Sequence, residues 1–414
     1  MPLDRREFLK QGITYLGVGA LMPAIFQRAL SALGEHSLRG APADDGRVLV
    51  VVQMAGGNDG LNTVIPVTDG RYYDARPEIG IRQAQALSLD ANTGLHPAMA
   101  KLKDLWDRGL LAIIEGVGYP VPNYSHFVSM DIWQRSDPTL KQMRGWLGRY
   151  FEKSAGAPEA PFLGLAIGNS LPTSFQALAS TVVALDNVAA YQFQGDARAP
   201  SLTAPRLRAL ASLYDAGNRA SGYGPLLAQT MRTASASVET VQKAHQIYKF
   251  AVEYPKSGLA SALATVAEAI ATGVGVKVCH VTIGGFDTHA NQLNDQSRQL
   301  TALSEALHAF YSDLKAHNVD SRVAIMTWSE FGRRVKGNAS GGTDHGSAAP
   351  LFLLGTPVKG GFYGQRPGLV DLDNGNLRFA TDFRSVYATV LGGWLGAPAQ
   401  DVLGGAYASL AVWR

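Results

Sequence analysis

The chain has 414 residues, 46% of them hydrophobic and 17% charged. That balance supports a sizeable core and excludes a disordered chain. Its 37 basic and 34 acidic side chains leave a net charge of +3 with no long basic run, which argues against nucleic acid as a partner. The single cysteine, Cys279, excludes an intramolecular disulfide and a cysteine–metal cluster.

In chain order, the first segment reads as an address. Asp4-Arg5-Arg6-Glu7-Phe8-Leu9-Lys10 precedes a glycine-bearing apolar run from Gly12 to Phe26, interrupted by Pro23. Charged, apolar, then small is the order of a signal peptide, and paired arginines with Phe-Leu-Lys behind them point to twin-arginine export. The run is too short for a membrane span, which needs about 20 apolar residues, and no later run is long enough. Residues 1–40 are therefore read as signal peptide and linker, with the export machinery as a partner and the periplasm or cell envelope as the location. Residues 41–414 are expected to form one α/β domain.

Within it, Arg47–Met54 (RVLVVVQM) is a continuous β-branched run, the pattern of a strand buried on both faces. The turn Gly56-Gly57-Asn58-Asp59-Gly60 follows. A helix over Pro97–Arg108, a strand over Leu110–Gly118 and a helix over Ser125–Gln134 come next, then short strands at Phe162–Ile167 and Thr181–Leu185. From about Pro205 to Ala271 the chain is Ala-, Leu- and Gln-rich with helical spacing, and reads as a helical insertion. Lys277–Ile283 returns to a strand, in which Cys279 reads as a small core residue. Leu293–Asn318 is a long helix, Arg322–Thr327 and Leu351–Leu354 are strands, and Asp382–Trp394 is a closing helix. Alternating strands and helices predict a mostly parallel sheet with helices on both faces.

Open α/β sheets bind ligands beyond the carboxyl ends of their strands, so polar residues there are the candidates. The first strand is followed by Asn58-Asp59, the second by Asn123-Tyr124-Ser125-His126, Lys277–Ile283 by Asp287-Thr288-His289, and Arg322–Thr327 by Ser329-Glu330. Gly342-Thr343-Asp344-His345-Gly346 lies just before Leu351–Leu354. Carboxylate and imidazole hold zinc, manganese or iron when thiolate is absent. Several of these residues also have ordinary structural readings: Ser125 as a helix cap, Asp59 as a turn former, Glu330 as the partner of an arginine.

These motifs, with Gly145-Trp146-Leu147-Gly148-Arg149 and Ser329-Glu330-Phe331-Gly332-Arg333, resemble the DUF1501 family of exported bacterial proteins over nearly the whole mature chain. That family in turn resembles a distant branch of the alkaline phosphatase and sulfatase superfamily. The resemblance implies an alkaline phosphatase-like fold and a hydrolase of phosphate or sulfate esters. Ser125 would be the nucleophile, and one or two divalent ions (zinc, manganese, calcium or iron) would be held by Asp59 and Glu330 on one side and by Asp287, His289 and His345 on the other. Arg333 or Arg149 would bind an ester oxygen. The chain departs from the pattern where Asp287 and His289 are spaced by two and where Ser329-Glu330 replaces an Asp-His pair, so that Asp344 could supply the missing ligand. Asn58, His126 and Ser329 complete the candidates. The altered ligand set also leaves room for a different class, a non-catalytic envelope protein that binds a partner or polymer. No motif supports a nicotinamide or flavin cofactor.

Overall fold

The computed structural model describes residues 46–154, 162–177, 182–188, 191–192, 201, 203–217 and 224–414. The signal peptide read at residues 1–40 lies outside them. The first elements are β1 (Val48–Met54), α1 (Gly60–Thr63), α2 (Gly70–Ala75), α3 (Ala100–Asp107), β2 (Leu111–Gly118), α4 (His126–Arg135) and α5 (Trp146–Ser154). Short strands β3 (Gly164–Ile167) and β4 (Val182–Leu185) follow, then three helices, α6 (Thr203–Gly217), α7 (Gly224–Ile247) and α8 (Gly258–Ala271). The chain continues through β5 (Val278–Ile283), α9 (Gln292–Ala316), β6 (Val323–Trp328), β7 (Ala349–Leu354), β8 (Gly361–Gly364), β9 (Thr381–Asp382), α10 (Phe383–Gly393) and α11 (Ala399–Leu403).

A nine-stranded sheet runs β8-β2-β7-β6-β1-β5-β3-β4, with β9 beside β2. β1 lies parallel between β5 and β6 and is buried along its whole length. Its residues alternate between two cores, as the period of a strand dictates. Val48, Val50, Val52 and Met54 pack with Leu259, Leu263 and Val266 of α8 and Leu300, Leu303 and Leu307 of α9. Leu49 and Val51 share the opposite core with Trp133 of α4, Trp146 and Phe151 of α5, and Val386 and Val390 of α10. The predicted α/β class, a mostly parallel sheet with helices on both faces, is what is observed. The stretch read as a helical insertion ends in α8, which packs on the sheet itself. Among the described residues no helix is long and apolar enough to cross a membrane.

One strand departs from the parallel pattern, and it positions the site. β7 is antiparallel to both β2 and β6. Its start therefore lies at the edge where β1, β2, β5 and β6 end; Ala349 pairs with Val117, next to the last residue of β2. Four strand ends and one strand start converge on a single rim of the sheet.

Candidate metal centre

The turn after β1 passes extremely close to its neighbours. Gly56 and Gly57 have φ of +120° and +75°, and a Cβ on either would collide, with the backbone of Asp287 or with the ring of Phe331. Only glycine meets both demands. This passage lets the Asp287 loop from β5 and the Glu330–Arg333 loop from β6 meet beneath α4.

Four side chains converge there. His289 Nε2 and His345 Nε2 lie 3.1 and 3.2 Å from Asp287 Oδ1 and 2.9 Å from each other. His126 Nε2 lies 3.4 Å from Asp287 Oδ2. Ligand atoms of His126, Asp287 and His345 fall within 4.8 Å of one another. The Phe331 ring packs against His126 and His345, with centroids 4.9 and 4.6 Å away.

Each imidazole is fixed from behind. His126 Nδ1 is 2.8 Å from Glu330 Oε1, His289 Nδ1 is 3.3 Å from Asp344 Oδ1, and His345 Nδ1 is 2.7 Å from the carbonyl oxygen of Tyr124. All three partners accept hydrogen bonds in these contacts, so each Nδ1 carries the proton and donates it. Each Nε2 is then left with a lone pair aimed at Asp287. Lone pairs facing one another at about 3 Å repel unless a proton or a cation lies among them. His126 Nε2 is moreover buried with no hydrogen-bond partner. An oxygen acceptor behind each ring, with Nε2 pointing inward, is the way proteins orient metal-binding histidines. The contacts of 2.9–3.4 Å to Asp287 and between His289 and His345 are of the size expected for donors about 2.1 Å from a shared ion. His126, Asp287 and His345 could hold a single divalent ion, with His289 Nε2 beside the last two.

Asp287 suits that role electrostatically. Partial burial pushes its carboxyl up, but the hydrogen bond and charge of Arg333 outweigh that and hold it below the usual carboxylate range. Asp344, hydrogen-bonded by Asn338 and His289, is also lowered despite some burial.

The remaining candidates fall elsewhere. Asp59 is 1% exposed and outside the cluster. Its carboxylate accepts from Arg76 Nη1 and Nη2 at 2.5 and 3.0 Å, from Gln292 Nε2 at 2.5 Å and from the amides of Leu61 and Asn62. A guanidinium occupies the place given to a metal, and α1 uses the same carboxylate as its N-cap. Glu330, fully buried, accepts from the Gly56 amide as well as from His126 and stands behind the cluster. Arg333 is committed on every nitrogen: to the carbonyls of Gly57, Thr343, Gly56 and Phe286 and to Asp287 Oδ1. It orients Asp287, and all three of its nitrogens already donate to the protein. Arg149 is buried, and burial depresses its guanidinium to about 10. It donates to the carbonyls of Val402, Arg144 and Arg135, joining α5 to α4 and α11. Asn58 and Ser329 hold the β1 and β6 turns together through Asn58 N–H to Ser329 Oγ. Ser125 is exposed at the N-cap position of α4, and its hydroxyl makes no capping bond. Arg76, Gln292 and the Tyr124 carbonyl were missed from sequence; none stands at a strand end beside a glycine, and a carbonyl has no residue signature.

A protein-family model described as "Protein of unknown function (DUF1501)" matches residues 113–392, a span that contains all four clustered side chains. No curated protein matches the chain. Among solved structures it is similar to the PsFucS1 sulfatase from Pseudoalteromonas sp., with 10% identity and a TM-score of 0.37 over 88% of this chain and 70% of that one. It is also similar to the lipoteichoic acid synthase LtaP from Listeria monocytogenes, with 9% identity and a TM-score of 0.31 over 86% and 71%. A third is the lipooligosaccharide phosphoethanolamine transferase A from Neisseria meningitidis, with 10% identity and a TM-score of 0.35 over 77% of this chain and 49% of that one. Matched across well over half its length, the chain belongs to the DUF1501 family.

Proposed function

We propose that this protein is an exported, metal-dependent hydrolase of phosphate or sulfate esters, folded as one domain from residue 41 onward and working at a single ion held by His126, Asp287, His289 and His345. The observation that carries this reading is the set of three inward Nε2 atoms, one of them buried and unpartnered, around an ionised carboxylate. One ion suffices, because Arg76 already neutralises Asp59, and Glu330 and Asp344 serve as partners of histidines. Three nitrogens and one oxygen suit zinc, manganese or iron better than calcium, which takes six to eight oxygens.

When bound, the ion supplies Lewis-acid polarisation of an ester oxygen. Ser125 would contribute the nucleophile: its uncapped hydroxyl is open to solvent, so its proton would pass to water as the Oγ–P or Oγ–S bond forms and the bond to the ester oxygen breaks, the departing oxygen taking a proton from water. The first-turn N–H groups of α4, which the Ser125 side chain does not satisfy, face the anionic group in place of Arg333 and Arg149. Water then releases the product from Ser125. The alternative, a non-catalytic binding protein that keeps the fold with a degenerate site, is favoured by the burial of both arginines among backbone carbonyls.

Elemental analysis of the natively exported protein tests this. One equivalent of zinc, manganese or iron is expected, absent from the Asp287→Ala/His345→Ala variant. Ser125→Ala should keep the metal and lose turnover of aryl phosphates or aryl sulfates. A folded protein that neither carries nor takes up metal sinks the reading; a metal-loaded protein whose turnover survives Ser125→Ala removes the serine from the mechanism.

A further inference from the structure

Gln292 is the first residue of α9 and is completely buried. Its Oε1 accepts from two hydroxyls, Thr288 Oγ1 at 3.1 Å and Thr343 Oγ1 at 2.6 Å. Its Nε2 donates to Asp59 Oδ2 at 2.5 Å. A carboxylate paired with Arg76 only accepts, so the amide must turn its nitrogen toward Asp59 and its oxygen toward the two threonines. Thr288 stands between Asp287 and His289, and Thr343 two residues before His345. The two loops also meet directly, Thr343 N–H donating to the Thr288 carbonyl at 3.1 Å. Both threonines are buried.

We infer that Gln292 is a positioning residue for the metal centre: resting on the metal-centre reading above, it sets the spacing of His289 and His345 by clamping their loops through Thr288 and Thr343. Asp59 thereby acts on the centre at one remove. It fixes the amide, the amide fixes the threonines, and the threonines fix the loops. Among the described residues, Gln292 alone bonds both hydroxyls. Groups that orient metal ligands change affinity about 10- to 100-fold when removed.

The test is titration of the full-length, metal-stripped protein with cobalt(II), read as visible absorbance and as the dissociation constant in competition with a chelator. Thr343→Val is isosteric and leaves the Gln292–Asp59 bond in place, so it removes one arm of the clamp with little risk to folding. Thr343→Ser keeps the hydroxyl. Thr343→Val and Thr288→Val/Thr343→Val should bind cobalt about 10- to 100-fold more weakly with an altered band pattern, while Thr343→Ser matches the parent. The melting temperature of the metal-free forms separates this from general destabilisation. Parental affinity and spectrum in both valine variants overturn the clamp alone. Failure of the parent protein to bind cobalt overturns the metal-centre reading and the clamp with it.

Discussion

The Asp59 carboxylate and the Arg76 guanidinium are 1% and 0% exposed and 2.5 Å apart. Removing two charges from water is expensive, and such a pair persists only where every remaining donor and acceptor is met. Here they are: Arg76 also donates to the carbonyls of Val335 and Arg334 and to Asn62 Oδ1. Arg76→Met therefore strands a buried carboxylate, and should lower stability by about 3–5 kcal/mol in urea unfolding. A change under about 1 kcal/mol would mean that the pair is not isolated from water as described. Arg76→Lys should rescue little, since an ammonium cannot reproduce the forked contacts. This pair also shows what the sequence could not reveal. A carboxylate in a glycine turn after a buried strand looks the same whether its counter-charge is a metal or a guanidinium 17 residues on. Arg333 poses the same ambiguity: an arginine near a site can bind a substrate or donate to carbonyls and a neighbouring carboxylate, and only the folded chain shows which contacts it makes. Asp344 and His345 stand out in the sequence because two ionisable residues in a glycine-rich loop have little structural use.

At the level of elements, the site depends on backbones that pass within contact distance. Gly57 at φ +75° lies against the Phe331 ring, and that ring packs on His126 and His345. Gly57→Ala must adopt a left-handed backbone and push Phe331 into the histidines. The expected result is a loss of about 1–3 kcal/mol together with weaker cobalt binding. Gly70→Ala is the control: it is exposed at the start of α2 with nothing within 4 Å of a new Cβ. Its stability and metal affinity should stay within about 0.5 kcal/mol of the parent. Equal behaviour of the two variants would disprove the steric account. The buried strands and long helices read from the sequence lie within about three residues of their observed bounds, because buried β-branched runs and long periodic segments are strong signals, whereas short or irregular elements such as α5, β8 and α11 carry no such signal. The direction of β7 was not readable. A strand buried on both faces has the same composition whichever way it runs, yet its antiparallel course is what returns His345 to the rim shared with Asp287.

For the whole molecule, the acid limit of stability should be set by two histidines that belong to the cores and not to the metal centre. His96 and His280 are 2% and 3% exposed. Burial pushes both imidazoles down to about 4, in His96 against the opposing pull of the Asp59 carboxylate. His96 Nδ1 accepts the Ala98 amide at 3.1 Å as the cap of the Pro97–Met99 turn, a bond that protonation destroys. His280 sits in β5 with Nε2 buried and unpartnered, so charging it has no compensation. The unfolded chain takes up protons on both near pH 6.5, and the folded chain only near 4. Between those values the unfolded state binds more protons, so stability is full above about 6.5 and falls as the pH drops toward 4. At 1.36 kcal/mol per unit, the loss reaches at most about 3 kcal/mol for each histidine by pH 4. Urea midpoints at pH 7.5 and 4.5, with chelator present so that metal release does not contribute, measure it. His96→Asn keeps a capping acceptor without titrating, and His280→Leu keeps an apolar group in the strand. The double variant should lose much less stability than the parent on acidification. An unchanged loss would place the acid sensitivity elsewhere: in that case the solvent reaches these imidazoles, and the two faces of the sheet are less closed than their packing indicates.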